Sequence, residues 1–268
     1  MPLVFAAIAP HGGIAIDDPV AAVTRAGMEE LGRRFDAAQP DVVVVATPHN
    51  VHIANALGVI VANRVAGKLE DMSQPVELDL PSDTEFAWRV LESFGAAGLP
   101  SAGVSFGAND LKLAVAPMDW GALIPLWFMG GRHDPPMHVV VVTPARELSA
   151  SDHVTAGAAI ASVAAASAGR VAFIASADHG HAHKKKGPFG YHPAAAEFDD
   201  IVCGLVRDNR LEGLVEIERD MVEDAKADSW WQLLMLHGAT RGWRGELISY
   251  ERPTYFGMLT AAYSPIDS

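Results

Sequence analysis

Three short apolar runs of this sequence end on histidine. Residues 3–9 lead into Pro10-His11-Gly12-Gly13, residues 42–46 into Thr47-Pro48-His49-Asn50, and residues 171–175 into Ser176-Ala177-Asp178-His179-Gly180-His181. Ligands of an open α/β sheet bind in the crevice beyond the carboxyl ends of its strands. If the three runs are neighbouring strands, their imidazoles therefore surround one crevice. Two neutral imidazoles and a carboxylate form the facial set that holds Fe(II) and leaves positions open for substrate and O2. One strand-end histidine alone is usually a surface or satisfied core residue, but three in register are hard to reach by chance.

The carboxylate must come from elsewhere in the chain. An acidic stretch, Glu216, Glu218, Asp220, Glu223, Asp224 and Asp228, precedes the apolar segment Trp230-Trp231-Gln232-Leu233-Leu234. Asp228 stands where the chain enters that segment, so it reads equally as a metal ligand or as a helix N-cap. A second reading uses His179, His181 and His183 as a zinc-type metallohydrolase cluster. Gly103-Val104-Ser105-Phe106-Gly107 fits the nucleophile-elbow spacing but lacks a clear strand before it and a helix after it, so it reads as accidental. The chain has no P-loop and no G-x-G-x-x-G.

The elements that must position these residues are legible as patterns. Continuous β-branched or apolar runs predict strands buried on both faces over 3–9, 42–46, 58–62, 138–142 and 171–175, with a last strand over 257–263. Amphipathic stretches predict helices over 18–36, 82–95, 152–168, 193–208 and 229–237. Capping boxes are expected at Ser82…Glu85 and Ser229…Gln232. Strands alternating with helices define an α/β fold: one domain spanning 1–268, with a mostly parallel or mixed central sheet and helices on both faces.

Composition narrows the function classes. Among 268 residues, half are hydrophobic and a fifth charged, enough for a sizeable core. A formal net charge of −13 disfavours nucleic acid and anionic membranes as partners and favours a small-molecule substrate. The single cysteine, Cys203, excludes an internal disulfide and a Cys-rich zinc cluster, and its apolar neighbours predict a buried helix position. The apolar N-terminal run lacks basic residues and is cut at Pro10, so neither a signal peptide nor a membrane span is expected there, and the expected location is cytoplasmic.

Several further segments, taken in order, carry a resemblance. They are Pro10-His11-Gly12, Thr47-Pro48-His49, Met118-Asp119-Trp120-Gly121-Ala122-Leu123-Ile124-Pro125-Leu126, Ser176-Ala177-Asp178-His179-Gly180-His181, Gly187-Pro188-Phe189-Gly190-Tyr191-His192-Pro193 and Leu233-Leu234-Met235-Leu236-His237-Gly238-Ala239. With them the chain resembles, over nearly its whole length, the class III extradiol ring-cleavage dioxygenases, in the catalytic-subunit family typified by the protocatechuate 4,5-dioxygenase β subunit. The resemblance implies non-haem Fe(II) held by His11, His49 and an acidic residue just before the Leu-rich helix, with His181 as acid/base. The family's metal glutamate falls close to Ser229, which cannot ligate in its place, so Asp228 takes that role, with Glu223 in reserve. Trp120 stands where relatives often carry histidine. Trp120, Tyr255 and His192 are the expected substrate-side residues, with Tyr191 beside them, although an aromatic or loop role explains each equally well. The implied partners are a catechol-type aromatic and O2, together with a second copy of the chain or a small α-type subunit.

Overall fold

The computed structural model describes residues 3–70 and 72–266. In chain order its strands and helices are β1 (Leu3–Ala9), α1 (Ile14–Asp17), α2 (Ala22–Ala38), β2 (Val42–Ala46), β3 (Leu57–Ile60), β4 (Arg64–Leu69), β5 (Val76–Pro81), α3 (Thr84–Ala96), β6 (Ser101–Val104), β7 (Val115–Pro117), α4 (Trp120–Phe128), β8 (His138–Thr143), α5 (Ala150–Ala165), β9 (Val171–Ser176), α6 (Ala194–Arg207), α7 (Arg219–Ala225), α8 (Trp230–Ala239), β10 (Arg244–Glu251) and β11 (Met258–Ser264).

Eight strands form one mixed sheet in the order β10-β11-β1-β9-β2-β8-β3-β6, and β5-β4-β7 form a smaller one. At the centre of the large sheet, β1, β9, β2 and β8 run parallel. Both faces of these strands are covered. Ala6, Ile8, Val44, Ala46 and Phe173 pack into one apolar layer with Ile160 of α5, Phe198 of α6 and Leu233 of α8. Phe5, Ala7, Val43, Val45 and Ile174 pack into the other with Met28 and Leu31 of α2 and Leu123 of α4. Burial on both sides is why these strands read as unbroken apolar runs instead of alternating ones. The fold is thus the expected single-domain α/β architecture.

Local chemistry shifts several expected boundaries. Asp18 caps a short 3₁₀ turn at Pro19–Ala21 before α2 begins. The cap of α3 is Asp83, whose carboxylate accepts from the Phe86 N–H, while Ser82 lies past the end of β5 and bridges to Val139. The box expected at Ser82 and Glu85 therefore gives way to an aspartate cap one residue later. A capping box forms instead at Ser149 and Asp152, starting α5 earlier than the pattern predicts. Cys203 is buried in α6, and burial pushes its thiol up to about 12, an inert state. Gly103 and Val104 end β6, and Ser105 follows in a loop with no helix behind it, as expected for an accidental motif.

Candidate metal centre

β1, β9 and β2 end level with one another: Ala9 pairs with Ser176, and Ala46 with Ala175. The residues that follow leave the sheet at one edge, which carries His11, His49 and Asp178 together. Asp228 reaches the same point from the link between α7 and α8. Nε2 of His11 and Nε2 of His49 lie 3.0 Å apart. Oδ2 of Asp228 is 3.4 Å from the first and 3.2 Å from the second.

These three side chains form a group that fits a divalent cation, and no other such group converges among the described residues. Donors on adjacent positions of one ion, each about 2.1 Å from it, stand about 3 Å from one another, as these do. The second oxygen of Asp228, Oδ1, is buried and has no hydrogen-bond partner. Of the two readings of Asp228, the structure excludes the cap. Ser229 occupies the N-cap position of α8 without capping it, and its hydroxyl instead lies 3.0 Å from His179 Nδ1. Gln232 donates to the Ser176 carbonyl at 3.0 Å, so the capping box expected at Ser229 and Gln232 does not form. Glu223, the reserve ligand, sits at the cavity rim paired with Arg219 at 3.1 Å and outside the cluster.

Neighbouring polar groups set the orientation of both imidazoles. The Ser176 hydroxyl donates to the Gly121 carbonyl and so faces His11 Nδ1, 2.9 Å away, as an acceptor. His11 consequently carries its Nδ1 hydrogen and presents Nε2 to the cluster, the arrangement that outer hydrogen bonds impose on metal-ligating histidines. Asp178 accepts from the His11 N–H at 3.0 Å. Asp119 caps α4 and also accepts from Thr47 Oγ1 and Asn50 Nδ2, bracing the turn that carries His49. Trp120 stacks on His49 with centroids 4.4 Å apart. A Cβ at position 121 would meet Thr47 Oγ1 at 2.4 Å, so only glycine lets this turn and helix close on each other. Asp119, Gly121, Ser176 and Asp178 were visible in the sequence as parts of motifs. Their bracing roles were not, because they depend on contacts between distant segments.

The carboxylates and imidazoles of the cluster perturb one another strongly. Burial opposes a proton on His11, but Asp178 and Asp228 outweigh it and raise the imidazole to about 9. Burial also works against ionised Asp228, yet His11 and His49 hold its carboxyl below the usual carboxylate range. Burial and the nearby Asp228 charge push Asp178 up, with His11 opposing.

A cavity of about 930 Å³ opens over this cluster. His181 projects into it with Nε2 4.0 Å from Asp228 Oδ2. The Nδ1 of His181 lies 2.7 Å from the His179 carbonyl, which can only accept, so Nδ1 holds the hydrogen and Nε2 is free. Phe256 stacks on the His181 ring at 5.2 Å and Phe189 meets its edge at 5.6 Å. Trp120 and Tyr255 line the cavity as expected. His192 does not. It lies on the surface, where its Nδ1 accepts from the Ala194 N–H at the start of α6 and its Nε2 is 3.8 Å from Asp224. Tyr191 is likewise exposed and absent from the cavity wall. His179 and His183 point away from the cluster, the first to Ser229 and the second to Asp199.

Over residues 7–260 the chain matches the family described as the catalytic LigB subunit of aromatic ring-opening dioxygenase, and it belongs to that family. It is similar to protein CA_C1420 of Clostridium acetobutylicum, with 24% identity over 234 residues, 85% of this chain and 49% of that protein. The chain thus spans about half the length of the curated relative it matches. In fold it is similar to the crystal structure of an uncharacterized protein, JW3007, from Escherichia coli K12. That match has 17% identity and a TM-score of 0.65, covering 97% of this chain and 99% of the other. Among the described residues no helix is long and apolar enough to cross a membrane.

Proposed function

We propose that this protein is a non-haem Fe(II)-dependent extradiol dioxygenase that opens the ring of a catechol-type aromatic with O2. The ligands are His11, His49 and Asp228, and His181 is the acid/base. The observation that carries this reading is the convergence of two imidazoles and one carboxylate at the floor of a cavity whose wall holds a histidine with a bare nitrogen. Family membership supports the ring-opening class, and the facial donor set favours iron.

When bound, Fe(II) supplies Lewis acidity to the catechol hydroxyls and a route for electrons to O2. The remaining work falls to the chain. His181 Nε2 accepts a proton from a catechol hydroxyl and returns it as the ring opens, a role worth about 10²–10⁴-fold. The Phe256 and Phe189 rings hold the His181 imidazole in plane and keep water from it. Trp120 and Tyr255 offer aromatic faces to the substrate ring, and Trp120 also keeps His49 from rotating. Trp120 and Phe189 are 48% and 51% exposed. Such open aromatics on the cavity wall support a covering partner, either a second copy of the chain or a small α-type subunit.

Anaerobic reconstitution with Fe(II), followed by O2-uptake assays over a panel of catechols, tests the reading. Uptake with formation of a yellow ring-fission product is expected. Hydrolysis of a substrate with zinc in the absence of O2, and no uptake with any catechol, would overturn it.

A further inference from the structure

Asp199 lies on α6, 1% exposed, and does not reach the cavity. It nevertheless accepts three hydrogen bonds. Oδ1 takes the Gly180 N–H at 2.8 Å, and Oδ2 takes His183 Nε2 at 2.9 Å and the Tyr250 hydroxyl at 2.6 Å. Arg252 faces the other nitrogen of His183 at 3.1 Å. A guanidinium only donates and a carboxylate only accepts, so His183 is neutral with its hydrogen on Nε2. The three donors satisfy the carboxylate, and the Gly180 N–H ties it to the peptide next to His181.

That connection is specific. The Gly180 N–H and the His179 carbonyl belong to one peptide unit. The N–H points at Asp199, and the carbonyl accepts from His181 Nδ1 at 2.7 Å. We propose that Asp199 is a positioning residue for His181, acting through this peptide to fix which ring nitrogen carries the hydrogen. The proposal rests on the reading of His181 as the acid/base.

Two physical effects make the coupling. The first is orientation. A peptide next to glycine rotates at low steric cost, because glycine accepts backbone angles that other residues resist. If this one turned over, its carbonyl oxygen would face the Asp199 carboxylate and His181 would lose its acceptor. The buried charge therefore selects the orientation in which the carbonyl meets Nδ1. The second is polarisation. A hydrogen bond donated by the N–H to a carboxylate strengthens the acceptor at the other end of the same amide, by about 10–30% per bond in condensed-phase estimates. Both effects keep the hydrogen on Nδ1 and leave Nε2 bare toward the cavity.

The surroundings leave little slack for an alternative arrangement. His179 N–H donates to the Gly257 carbonyl and Gly257 N–H to the Gly180 carbonyl, so the turn is bracketed on both sides of the relayed peptide. A Cβ at position 180 would meet the Ala195 carbonyl oxygen at 2.8 Å, and one at 257 would meet Asp199 Oδ2 at 2.1 Å. Glycine at both places lets α6 and β11 close on the turn.

The test reads the His181 tautomer by long-range proton–nitrogen correlation NMR, in the full chain both metal-free and loaded with diamagnetic Zn(II). In the wild type, His181 is expected as the Nδ1–H form. Asp199→Asn preserves size but removes the charge, and is expected to populate the Nε2–H form. Asp199→Ala is expected to shift the balance further. Tyr250→Phe removes another donor to the same carboxylate while leaving the relay intact, so it is expected to match the wild type. In the iron-loaded enzyme, Asp199→Asn should lower kcat about 10–100-fold, the scale of small misplacements at a reacting centre, with little change in KM. An unchanged His181 tautomer in folded Asp199→Asn protein overturns the proposal, as does an equal change in Tyr250→Phe. The NMR result stands apart from turnover, so failure of the dioxygenase reading would appear separately, as absent O2 uptake in the wild type.

Discussion

Two sets of histidines occupy the same end of the sheet and are built in opposite ways. His11 and His49 come from different strands and converge to 3.0 Å. His179, His181 and His183 come from one five-residue segment and diverge to Ser229, the cavity and Asp199. Close spacing in a sequence therefore says little about a shared ligand here, because the segment is an irregular turn, not a strand, and sends the three side chains to different surroundings. Level strand ends say more, because register places distant residues at one height. This difference disposes of a metal cluster built on the three closely spaced histidines.

Breaking the convergent set should have the largest effect. Asp228→Ala removes the one carboxylate that both imidazoles share, leaving Asp178 beside His11 alone. Its metal-dependent activity should fall further than the roughly 10–100-fold that losing an outer hydrogen-bond partner costs, whereas His183→Gln stays within that range. Equal losses in O2-uptake rate would erase the distinction between the two sets. Next is His181→Gln, expected to lower kcat about 10²–10⁴-fold while iron content stays at the wild-type level. Loss of iron in that variant would move His181 from proton transfer into the ligand set.

A smaller, graded effect comes from pH. His11 is raised from 6.5 to about 9 in the metal-free fold. Its contribution to stability is fully present below about pH 6.5 and is lost as pH rises through about 9. A bound cation must displace the same proton. Apparent affinity for a divalent ion should thus climb by up to about tenfold per pH unit between about pH 7 and 9, then level off. Calorimetric titrations across that range check the slope, and a flat profile would mean that His11 is not displaced. The smallest effect belongs to Glu223→Gln. Glu223 is an exposed partner of Arg219, and such pairs are worth about 0–1 kcal/mol, so metal affinity should be unchanged within error.

Legibility of the fold followed burial. Strands covered on both faces, such as Val42–Ala46, read directly as apolar runs, and β1 and β2 begin and end where expected. β5 alternates Val, Glu, Leu, Asp, Leu with one face buried, and β10 is a half-buried edge strand. Neither presents a continuous run, so the five strands β4, β5, β6, β7 and β10 were not anticipated. His11 and His49 were legible as strand-end residues, and Asp228 was legible from its place before the apolar segment as either ligand or cap, with the resemblance to a family choosing the ligand. His192 misled because its Gly-Tyr-His-Pro setting fits a helix start as readily as a cavity wall. Asp199 was invisible, since its partners come from segments up to 51 residues away.

The most direct test of the central claim is the amount of Fe(II) retained per chain after anaerobic reconstitution and removal of free metal. One equivalent is predicted for the wild type, for Glu223→Gln and for His183→Gln, and essentially none for His11→Ala, His49→Ala and Asp228→Ala. Full retention in the last three, or loss in His183→Gln instead, would contradict the account.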